Sequence, residues 1–123
     1  MKVEEFVATV RAEHVDAVAK MYEQMFTATP LTRVTDGGML ELAEYWQSTD
    51  NPTRAILSSF LRLGSQASVA SLLAVLDNTS SVFTEKFSLL AKSSDGVISN
   101  LSEDLLDTFW AQEEEAGHVN RRT

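Results

Sequence analysis

Apolar residues return every three or four positions through the first quarter of the chain, and this spacing predicts one long amphipathic helix over residues 3–26. Val3, Val7, Val10, His14, Val18, Met21 and Met25 form its stripe, widened by Phe6, Tyr22 and Phe26. Glu4 and Glu5 suit the positive end of the helix dipole. The pattern breaks at Thr27–Gly38, where Pro30 and Asp36-Gly37-Gly38 are turn chemistry and Leu31–Val34 allow a short extended piece. A compact helix follows at 38–48, with Met39, Leu42, Ala43 and Trp46 inward and Glu41 and Glu44 facing away.

Ser48–Pro52 reads as a helix boundary. Asp50 or Asn51 can cap, and proline fits the first turn because its missing N–H would be unpaired there anyway. Ile56, Leu57, Phe60, Leu61 and Leu63 make the next apolar run, and Gly64 reads as its stop. No charged residue lies between Arg62 and Asp77, so a further helix at 66–77, buried through Val69, Leu72, Leu73 and Leu76, is expected at the centre of the molecule. Its small residues also offer a self-association face.

Residues 82–98 fit two patterns. Phe83, Phe87 and Leu90 suit a helix, whereas Phe87, Leu89 and Ala91 alternate with Lys86, Ser88 and Lys92 as in a strand. Ser93-Ser94-Asp95-Gly96 tips the reading to a hairpin over 86–99. Asn100 or Ser102 then caps a last helix, Asn100 with Glu103 having capping-box spacing, and Gly117 ends it. The expected fold is mainly α: a compact single-domain helical bundle of about five helices with one short β-hairpin, a globular domain over 1–117 and a tail over 118–123.

Composition adds limits. A chain of 123 residues fits one domain. The absence of cysteine removes disulfides, thiolate metal sites and cysteine nucleophiles. No secretory pattern opens the sequence and no uninterrupted apolar run approaches the ~20 residues of a membrane span, so a cytoplasmic protein without membrane contact is expected. The net charge of −8 disfavours phosphate backbones, so no nucleic-acid partner is expected.

Leu101–Glu115 concentrates that charge, with six of the eighteen acidic residues and no base. Leu101, Leu105 and Phe109 point one way at helical spacing, leaving Glu103, Asp104, Asp107 and Glu114 to face a basic protein partner and Trp110 to anchor it. The carboxylate spacing alone is that of a hydrated face, so no metal is assigned. His14 reads as a boundary residue, and Glu115-x-x-His118 is a single, glycine-interrupted copy of a motif that needs two. Nucleophile elbows, phosphate loops and dinucleotide fingerprints do not occur. Hence no catalytic residue and no cofactor are assigned. The expected function is non-catalytic protein binding, of the inhibitor, immunity or adaptor type. The alternatives are a structural homo-oligomer and a small ligand-binding or enzymatic domain whose site assembles only in three dimensions.

Overall fold

The structure, a computed structural model, describes residues 1–119. Of the expected tail, residues 120–123 lie outside the described residues. Four helices and a small antiparallel hairpin make up the described fold.

The first helix, α1, joins an α-helical Val3–Val10, a π-helical Arg11–Asp16 and an α-helical Ala17–Ala28. Its buried residues are Val7, Val15 and Ala19. The expected stripe therefore holds at Val7 and slips by one position within the π turn, so that Val15 and Ala19 take the places read for His14 and Val18. The reason is geometric. A four-residue step overshoots a full α-helical turn by roughly 40°, so Val7 and Ala19 would face about 120° apart on a regular helix. A π turn holds about one residue more and takes up most of that drift.

Helix α2, Gly37–Ser48, starts on the Asp36 side chain, which accepts from the Met39 N–H at 2.9 Å. It packs on the second half of α1 through Ala43 and Trp46. Leu42, expected inside, is 55% exposed. Helix α3, Asn51–Leu76, is capped in the same way by Asp50, whose carboxylate accepts from Thr53 N–H at 2.8 Å.

The two helices read at 52–63 and 66–77 are thus one, which accounts for four helices rather than five. Gly64 lies within α3 and does not adopt the left-handed conformation that a glycine stop requires. Its penalty of about 1 kcal/mol relative to alanine is too small to break a 26-residue helix packed along its length. The fused helix is, by length and composition alone, apolar enough to cross a membrane, a property hidden when it is read in two halves. It buries Gln66, Ala70 and Leu73, while Leu72, expected inside, is exposed.

The hairpin pairs β1, Leu90–Lys92, with β2, Ile98–Asn100, in antiparallel register, Leu90 opposite Asn100 and Lys92 opposite Ile98. The Asn78 side chain ties the incoming strand to the end of α3 by bonding both the N–H and the C=O of Phe87.

The last helix, α4, is Leu105–Glu115. The expected capping box does not form: Asn100 instead accepts from Ser102 N–H, and the Leu106 N–H donates to Asp77 Oδ2 at 2.9 Å from the far end of α3. Gly117 ends the helix as expected. Its N–H reaches the Glu114 carbonyl and that of His118 reaches the Glu113 carbonyl, the two bonds of a Schellman motif, with glycine at φ +79°. Helices α1, α3 and α4 meet in a core of Val7, Val15, Ala70, Leu73, Leu105 and Phe109.

Candidate functional site

Two arrangements stand out in this frame: a buried carboxylate held by two arginines, and an open apolar groove.

Glu113 continues the Leu105–Phe109 stripe by one more four-residue step, and that phase places its side chain fully inside the protein. Leaving a lone carboxylate there would be costly, and three side chains compensate it. Arg11 Nε donates to Oε1 at 2.8 Å. Arg62 donates from Nη2 to Oε1 at 3.2 Å and from Nη1 to Oε2 at 3.1 Å. Gln66 Nε2 donates to Oε2 at 2.7 Å. His118, brought back by the Gly117 turn, sets Nδ1 2.6 Å from Arg62 Nη2. Arg62 also meets Asp16 at 2.8 Å.

Burial pushes the Glu113 carboxyl up, but the bonds from Arg62, Gln66 and Arg11 outweigh it and hold the group at about 2. Burial likewise lowers Arg62, yet Glu113 and Asp16 raise it above its ordinary value. Each charge is matched, and no buried side-chain polar atom among the described residues lacks a partner. A base so strongly held down and so fully engaged does not take a proton near neutrality. The knot fastens α1, α3 and α4 together.

The groove lies between α1, α2 and α3 and has a volume of about 750 Å³. Val18, Tyr22 and Phe26 line it from α1, Met39, Leu42, Tyr45 and Trp46 from α2, and Leu57, Phe60, Leu61, Gly64, Ser65 and Ser68 from α3. The π turn helps to expose it: the slipped stripe sends Val15 and Ala19 into the core and leaves Val18 and Tyr22 facing the groove. Rings of Tyr22, Phe26 and Trp46 follow one another at 6.0 and 6.1 Å between centroids. Trp46 is fixed by donating its indole N–H to Thr27 Oγ1 at 2.9 Å. Phe60 is 75% exposed and Tyr45 54%. Side chains of this size in solvent, drawn from three helices around one concavity, are uncommon on a surface without a partner.

The acidic segment is less coherent than its sequence. Because α4 begins at Leu105, Glu103 and Asp104 precede the helix, and Asp104 takes a left-handed backbone at φ +57°. The i, i+4 face drawn through Glu103 and Asp107 is therefore not helical. Asp107 and Glu114 are exposed and share a side of α4 seven residues apart. Trp110 is half-buried, packed against the core with its ring edge-on to Phe109 at 5.2 Å. His14 is exposed at one end of the groove. Among the described residues no group of three or more histidines and carboxylates is arranged to hold a metal ion.

Comparison with protein-family models, curated proteins and solved structures gives no match to this chain.

Proposed function

We propose that this protein is a small non-catalytic binding domain that docks a basic protein partner in the groove between α1, α2 and α3. The observation that carries this reading is the exposure of Phe60, Leu42 and Tyr45 around one apolar concavity. A few residues, tyrosine and tryptophan prominent among them, carry most of the energy of typical protein interfaces. The net charge of −8 favours a basic partner and speeds its approach. Asp107 and Glu114 on α4 contribute to that attraction at a distance, and Trp110 belongs to the core edge rather than to the contact.

Site-specific photocrosslinking in cells tests the reading. A crosslinker at Phe60 is expected to capture a protein, and the product is expected to vanish when Leu42→Asp is added. Capture from Asp107 alone would return the contact to the acidic helix. Capture from neither position would sink the binding-domain reading.

A further inference from the structure

Resting on the groove being a docking surface, we propose that its occupant is an amphipathic α-helix whose apolar stripe is flanked by lysine or arginine. Shape comes first. The groove runs from His14 to Phe26 along α1 and from Leu57 to Val69 along α3. Either stretch spans about 18 Å at 1.5 Å per residue, the length of roughly three helical turns. Its floor on α3 is Gly64, Ser65 and Ser68, and a Cβ built on Gly64 meets nothing within 4 Å. A second helix can therefore lie low against the α3 backbone, while the Tyr22, Tyr45 and Phe60 rings take its apolar side chains.

Charge selects among helices. Among the described residues no lysine or arginine lines the groove, and Glu23 does. Glu41 and Glu44 border an adjoining hollow that shares Tyr45 with it. Of the nearby cations among the described residues, Arg62 is held by Glu113 and Asp16, and Arg54 bonds the Trp46 and Gln47 carbonyls with its guanidinium over the Trp46 ring, while Lys20 borders a second adjoining hollow that shares Glu23. An apolar trough edged by carboxylates matches a helix with basic flanks. The same edge disfavours a second copy of this chain, which carries the same net charge of −8, and it repels anionic lipid.

Two designed peptides of about sixteen residues test this, with leucine repeating at every third or fourth position and either lysine or glutamate flanking the stripe. Calorimetric titration is expected to show the lysine peptide binding at least tenfold more tightly than the glutamate peptide, with an advantage that shrinks as salt rises. Gly64→Leu sets a large side chain on the floor, and its Cβ meets no neighbouring atom within 4 Å. It is expected to keep or raise the melting temperature and to weaken the lysine peptide at least tenfold. Glu23→Lys with Glu41→Lys is expected to reverse the peptide preference.

The proposal is overturned if the lysine peptide fails to bind, if both peptides bind equally, or if Gly64→Leu binds as the wild type does. A dimer in sedimentation that Phe60→Lys dissolves would overturn it in favour of a second copy. Crosslinks from Phe60 alongside failed peptides would leave the groove as a docking surface and reject only the helical occupant.

Discussion

Arg62 and Glu113, 51 residues apart in sequence, meet through two hydrogen bonds of 3.1 and 3.2 Å in the interior of the protein. The same arginine meets Asp16 at 2.8 Å, but Asp16 keeps 37% of its side-chain surface in water.

That contrast sets the first prediction. Removing one partner of a buried ion pair costs about 3–5 kcal/mol, whereas an exposed pair contributes about 1 kcal/mol or less. Glu113→Ala is therefore expected to lower the urea midpoint severely, and Asp16→Asn only slightly. Equal losses would mean that burial does not set the strength of this network.

Acid should act through the same group. Glu113 is held at about 2 against an ordinary value of 4.5. Because the folded value is the depressed one, its contribution is complete above pH 4.5 and is lost as pH falls from there toward 2. At about 1.4 kcal/mol per unit, this amounts to about 3 kcal/mol. Urea melts of wild type and Glu113→Gln between pH 6 and 2.5 should converge as the pH drops. Parallel curves would show that Glu113 does not carry the effect.

Gly64→Ala should stabilise the fold. The residue sits inside α3, its φ is not positive, and an added methyl meets no atom. The expected gain is about 0.5–1 kcal/mol, seen as a rise of a few degrees in melting temperature. No gain, or a loss, would show that α3 is strained or broken at this point.

Phe60→Ser tests the groove from the side of stability. At 75% exposure the ring is in water before it meets a partner. The substitution should leave folding within about 0.5 kcal/mol of wild type. A large loss would mean that Phe60 belongs to the fold, and the groove would lose its best anchor.

Much of this architecture is legible in the residues. Asp50 starts its helix where its side chain indicates, Gly117 ends one, and Ser93–Gly96 turns the hairpin, whereas Asp36, read as part of a turn, caps the helix that follows it. What is hidden depends on context. Gly64 has the composition of a stop, but a glycine stops a helix only when its backbone turns left-handed, and packing on both sides prevents that. The π turn at Arg11–Asp16 has no signature in residue type, so the stripe beyond it is read one position out of phase. That error moves Val18 and Tyr22 into the core on paper and conceals the groove. Glu113 was open to detection: Leu101, Leu105 and Phe109 lead to it in four-residue steps. Its two acidic neighbours, Glu114 and Glu115, disguise it as part of a solvated run.

The π turn also decides where the chain can change length. Losing one residue from Arg11–Asp16 would restore an ordinary α-helix while both flanks kept their present bearings, and only the loss of Arg11 or Asp16 itself would also take a partner from the arginine–carboxylate knot. Losing one residue elsewhere in the same helix would swing a flank by roughly 100° and turn Val7 or Ala19 out to solvent. Shorter versions of this helix are therefore expected to be missing a residue at this turn.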